Sequence, residues 1–184
     1  MNAPVPPLSP YTAPPKQRKI VTHTLSVLVD NEPGVLARVV GMFSGRGYNI
    51  ASLTVAEVAH ADHLSRITIV TSGTPDNIEQ VTLQLDRLVP VHSVTDLTLH
   101  SNYVERELAM IKVAGRGEDR QEALRLADAF RARVIDASTE SFVFELTGAA
   151  TKIDHFVDLM RPIGLVEVSR TGVAAITRGP GKMP

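Results

Sequence analysis

Two short runs, Asn31-Glu32-Pro33-Gly34 and Gly45-Arg46-Gly47-Tyr48-Asn49-Ile50, carry the groups in this chain best suited to holding a small molecule. The first is a turn whose Pro-Gly end opens an amphipathic helix. The first helical amides, those of Val35 and Leu36, therefore lack intrahelical acceptors and point at whatever lies beside the helix start. A small carboxylate suits that position, and Gly34 lets a ligand approach the backbone closely. Asn49 adds donors and an acceptor on one side chain. Its turn is expected to return the chain to the end of the sheet from which Asn31 departs. These are parts of an amino-acid pocket, and no catalytic group accompanies them.

Other chemistries fit less well. His60, Asp62 and His63 imitate a metal cluster, but on a hairpin tip with no third fixed ligand they read as solvated loop residues. Histidines, serines and carboxylates are scattered without the frame that positions a nucleophile. Gly45-Arg46-Gly47 ends a helix instead of opening one, and no Gly-Lys-Ser/Thr follows, so it reads as a helix stop and not a phosphate loop. Gly179-Pro180-Gly181-Lys182 reads as a frayed end. The absence of cysteine excludes disulfides, thiolate catalysis and Cys-based metal sites. A formal net charge of −1 leaves no basic field for nucleic acid. No apolar run approaches the roughly 18 residues of a membrane span, and the N-terminus lacks a secretory h-region, so the cytoplasm is the default expectation.

The elements that must position these groups follow from the period of the apolar residues. Leu25, Val27 and Val29 alternate in a strand over about 24–30. Val35, Leu36, Val39, Val40 and Phe43 mark the buried stripe of a first helix. Strands are expected over 50–59 and 65–71, joined by a hairpin at 59–63. Pro75 starts a second helix with Ile78, Val81, Leu85 and Leu88 inside, and 91–99 closes the unit as a fourth strand. The order β-α-β-β-α-β then repeats about eighty residues later. Its parts are a strand over 108–114, a helix over 120–132 burying Ala123, Leu124, Ala127 and Phe130, and a hairpin of 134–137 with 142–146. A helix carrying Ile153, Phe156, Val157 and Met160 and a strand over 165–176 complete it.

The expected class is α+β, two ferredoxin-like βαββαβ domains. Residues 1–22, rich in proline, are expected to form a disordered tail, 23–100 the first domain, 101–106 a linker, 107–178 the second domain and 179–184 a flexible end. The same plan underlies RNA-binding domains that stack bases on strand aromatics. Here the chain has no Trp, and the strand over 65–71 carries no aromatic residue. The second half has Gly115-Arg116-Gly117-Glu118-Asp119 where the first has Asn-Glu-Pro-Gly, so only the first half looks like a ligand site.

Four segments in order, LSVLVDNEPGVLARVVGMFSGRGYNIASLTVA, LSRITIV at 64–70, YVEREL at 103–108 and RTGV at 170–173, resemble the ACT domain. More closely, they resemble the small regulatory subunits of acetolactate (acetohydroxyacid) synthase, from about His23 to Arg178. The resemblance implies a branched-chain amino acid effector, valine first, bound between two ACT domains of a homodimer. Asn31, Gly34 and the amides of Val35 and Leu36 match its effector turn, and Asn49 and Ile50 match the part contributed across the dimer. It also implies a separate catalytic subunit that carries thiamine diphosphate, magnesium and flavin, with no cofactor and no catalysis in this chain. Two alternatives stay open on the residues alone. One is a free-standing amino-acid sensor acting on another target. The other is an acylphosphatase-like hydrolase, whose first turn would need an Arg where this chain has Glu32.

Overall fold

A computed structural model describes residues 19–99, 102–181 and 183. The proline-rich tail lies outside the described residues except at its end, where Val21 and Thr22 belong to the first strand. In chain order the N-terminal half comprises β1 (Val21–Asp30), α1 (Val35–Gly45), β2 (Ile50–Ala59), β3 (Leu64–Gly73), α2 (Pro75–Leu85) and β4 (Val91–Asp96). The C-terminal half comprises β5 (Tyr103–Ala114), α3 (Glu118–Phe130), β6 (Arg133–Ala137), β7 (Ser141–Gly148), α4 (Ala150–Met160), β8 (Leu165–Arg170) and β9 (Ala174–Thr177). The sheets run β2-β3-β1-β4 and β6-β7-β5-β8, one ferredoxin-like order used twice, and β9 pairs separately with β5.

Local chemistry accounts for the boundaries. Pro75 occupies the first turn of α2, and the Thr74 hydroxyl accepts from the Asn77 amide at 3.4 Å, capping the helix start. His63, with φ 51, reverses the chain between β2 and β3 after a 3-10 turn over His60–Asp62. Every β1 residue from Leu25 to Val29 at an odd position is buried against α1 and α2, together with Val39, Phe43, Ile67, Ile69, Val81 and Leu85. The C-terminal core is built instead on Phe142, Phe144 and Phe156 with Ile111, Leu146, Ile153 and Met160.

Several expectations need correction. Leu36 and Leu124, read as core, are 41% and 38% exposed. Each sits beside the true stripe of its helix, which Val35-Val39-Phe43 fills in α1 and Ala123-Ala127 in α3. The fourth strand stops at Asp96, because Leu97–Leu99 turn as a 3-10 helix whose Thr98 amide donates to Asp96 Oδ1 at 3.0 Å. Residues 103–106, read as linker, are strand, paired with 174–177. The expected strand over 165–176 is broken at Thr171-Gly172-Val173 into β8 and β9.

That break joins the halves. Thr24, Ser26, Thr68 and Thr95 lie on the face of the N-terminal sheet turned away from its helices, yet all are buried. The segment 171–173 crosses this face: the Val173 amide donates to Ser52 Oγ at 3.0 Å and the Thr54 hydroxyl donates to the Thr171 carbonyl at 3.4 Å. A Cβ on Gly172 would lie 2.8 Å from both Ser52 Oγ and Thr54 Oγ1, so only glycine passes there, at φ +82. Arg170 anchors the crossing. It forms a two-pronged bond to the buried Glu107 at 2.8 and 2.6 Å and a third to Asp154 at 2.6 Å. The hydrogen bonds to Glu107, and then the one to Asp154, hold its pKa above the ordinary arginine value.

Candidate functional site

The turn between β1 and α1 is pinned at its entry. The Asp30 amide donates to the Pro90 carbonyl at 2.9 Å, and the Asn31 amide to the His63 carbonyl at 2.7 Å. Gly34 then adopts φ 89, a left-handed conformation that costs a side-chain-bearing residue about 1–2 kcal/mol. A Cβ there would meet nothing within 4 Å, so backbone geometry, and not crowding within the chain, requires glycine.

Helix α1 starts without a side-chain cap and without an acidic residue in its first turn. The Val35 amide makes a long 3.4 Å bond to the Glu32 carbonyl, and the Arg38 amide reaches the Gly34 carbonyl at 3.0 Å. The Leu36 amide lies between these two bonds, at the uncompensated positive end of the helix. Among the described residues, the Asn31 side chain has no hydrogen-bond partner and is exposed. Donors and positive potential thus converge where a carboxylate can sit, and the Leu36 side chain stands exposed beside them.

Asn49 and Ile50 are elsewhere. Ile50 pairs with Thr71, whereas Asp30, next to Asn31, pairs with Leu64. From Thr71 to Leu64 along β3 is roughly 23 Å at about 3.3 Å per residue. The expectation that the turn before β2 returns to the Asn31 end is therefore corrected: within one chain the two asparagines lie at opposite ends of the sheet. The reason is topological. A β-α-β crossover makes β2 run in the direction of β1, so β2 must begin where β1 began. Asn49 is nonetheless held in place, because the Thr71 hydroxyl donates to its carbonyl at 2.6 Å, and its side chain has no partner among the described residues. Sequence reading missed Thr71 and the His63 carbonyl. Both act through register, which no local pattern displays.

The other candidate groups do different things. His60 is solvated, bonded at 2.9 Å to Glu57, three residues before it. In the C-terminal half, the turn before α3 carries an Arg116–Glu140 ion pair, and Glu118 and Asp119 occupy the first turn of the helix.

Comparison with known proteins places this architecture. A family described as the small subunit of acetolactate synthase matches residues 106–179, and one described as an AHAS small subunit-like ACT domain matches residues 25–93. The acetolactate synthase small subunit of Mycolicibacterium smegmatis is 43% identical over 86% of this chain and 92% of its own. That of Mycobacterium leprae is 45% identical over 86% of this chain and 93% of its own. The crystal structure of the acetolactate synthase small subunit from Thermotoga maritima superposes with a TM-score of 0.78 at 41% identity, covering 88% of this chain and 99% of that one. With two ferredoxin-like halves, an uncapped helix start after the first strand and this likeness over nearly its full described length, the chain belongs to the acetolactate synthase small-subunit family, regulatory subunits built on an ACT domain.

Proposed function

We propose that the chain binds a branched-chain amino acid, valine foremost, at a pocket shared by two copies, and so regulates a separate acetolactate synthase catalytic subunit. The observation that carries this reading is the separation of Asn31 from Asn49. β2 is an edge strand, with Val55 and Val58 exposed at 41% and 52%. A second copy pairing antiparallel along that edge, about a two-fold near Thr54 and Val55, brings its own Asn49 and Ile50 to the end where Asn31, Gly34 and the amides of Val35 and Leu36 wait. Edge pairing also covers unpaired backbone groups that would otherwise invite aggregation. The C-terminal sheet repeats the arrangement at β6, where Val134 and Ile135 are 45% and 48% exposed.

In this reading the carboxylate lies at the start of α1, the asparagine amides hold the polar atoms of the effector, and its aliphatic side chain fills the seam. One methylene is worth about 0.8 kcal/mol there, so leucine and isoleucine compete closely. Coupling of about 1.4–2.7 kcal/mol suffices to change the partner's active state ten- to a hundredfold. Thiamine diphosphate, magnesium and flavin belong to the catalytic subunit, this chain makes no acetolactate alone, and the complex works in the cytoplasm.

The test is acetolactate formation by the cognate catalytic subunit, with and without this protein, across a valine titration. Activation by the protein and loss of rate with valine support the reading. No effect of either leaves an amino-acid sensor with another target. Gly34→Asp should abolish the valine response while the fold persists. An unchanged response in that variant removes Gly34 from the site.

A further inference from the structure

The helix-free face of the N-terminal sheet holds a cavity of about 660 Å³ beneath β9, separate from residues 31–36 and 49–50. Leu28, Val58 and Ile176 give it apolar walls, and Arg66, Asp62 and Thr54 give it polar groups. Arg66 stands on β3 between Leu28 of β1 and Ala56 of β2. Its Nη1 donates to Ser26 Oγ at 3.0 Å, and among the described residues no carboxylate pairs with it. The contrast with Arg170, which is saturated by two carboxylates, is direct. Partial burial without a counter-charge pushes the Arg66 pKa below the ordinary arginine value.

A guanidinium has five N–H donors in a planar fork that matches a carboxylate, and a desolvated cation without an anion is costly. The unfilled coordination and the aliphatic walls describe the same ligand from two sides. We infer that this cavity is a second ligand site, taking a small aliphatic α-amino acid or 2-oxo acid whose carboxylate is bound by Arg66. Asp62 on its rim separates the two sources, since it can accept from an ammonium group but offers a 2-oxo group nothing.

The inference does not rest on the role of the Gly34 turn, and its test keeps the two apart. Binding of L-leucine and of 4-methyl-2-oxopentanoate to the full chain is measured by calorimetry in the native protein and in Gly34→Asp, Arg66→Gln, Ile176→Asp and Asp62→Asn. Gly34→Asp should retain a binding class for at least one probe. Arg66→Gln and Ile176→Asp should each weaken that class at least tenfold. Ile176 is 58% exposed, so its variant tests the site even where Arg66→Gln fails to fold. Weaker leucine binding in Asp62→Asn assigns the amino acid, and binding of 4-methyl-2-oxopentanoate without leucine, unchanged in Asp62→Asn, assigns the 2-oxo acid. Absence of any binding to Gly34→Asp, or binding that both Arg66→Gln and Ile176→Asp leave intact, overturns the proposal.

Discussion

The two halves of the molecule share one fold and treat the start of their first helix in opposite ways. Helix α1 begins after a left-handed glycine, with no acid in its first turn and no side-chain cap, so its own first turn supplies no counter-charge to its positive end. Helix α3 begins after Gly117 with Glu118 and Asp119 in its first turn, and Arg120 lies 3.8 Å over the ring of Phe142. The second helix start is neutralised from within. Duplicated architecture therefore does not duplicate electrostatics: a few residues at one turn decide whether a helix end is left open or is neutralised within the chain.

The cores differ as well, and this difference gives the largest effect. The C-terminal half packs Phe144 against a tilted Phe142 at 5.5 Å and edge-on against Phe156 at 6.1 Å, whereas among the described residues the N-terminal core has one aromatic contact, Phe43–Tyr48 at 6.4 Å, among aliphatic neighbours. Phe144→Ala should cost about 3–5 kcal/mol, read as a lowered urea midpoint with the loss concentrated in the C-terminal half by hydrogen exchange. Arg170→Ala should cost about 2–3 kcal/mol, because it strands the Glu107 carboxylate, whose side chain is 5% exposed. The value falls short of a fully buried pair because Arg170 is itself 35% exposed.

Removing the acids of α3 in the double variant Glu118→Gln, Asp119→Asn should cost about 1 kcal/mol and leave the proposed valine response unaltered. Installing such an acid in the other half, Ala37→Asp, should change stability by less than about 0.5 kcal/mol. The gain at the helix end is offset by the lower helix propensity of Asp relative to Ala. It should nevertheless abolish the valine response in the acetolactate assay by occupying the potential that a carboxylate needs. A preserved response would show that the opposite treatment of the two helix starts does not govern binding.

Most of the fold was legible because its signals are local. Alternation marked β1 and β3, Pro75 marked the start of α2, and the repeated order of elements gave two ferredoxin-like halves. Leu36 and Leu124 were misread because each lies one position from its stripe, where apolar character alone does not distinguish flank from core. The junction was missed for a deeper reason. Thr24, Ser26 and Thr68 look like the solvent side of a half-buried sheet, yet Thr24 bonds Glu105 and Thr68 shares a cavity with Ala174 and Ile176, partners far along the chain. The turn at 31–34 was readable from its residue types, but its distance from Asn49 is a matter of strand direction and register.

The segment 171–177 follows every other element described here, and this order has a consequence for synthesis. The N-terminal sheet can complete its core while the chain is still being made, since β1 to β4 come first. Its polar face stays wet until the ribosome has delivered Gly172 to Ser52 and β9 to the start of β5. A nascent first half is therefore a folded domain with one face unfinished, and the last strap to arrive sets when the two halves become one body.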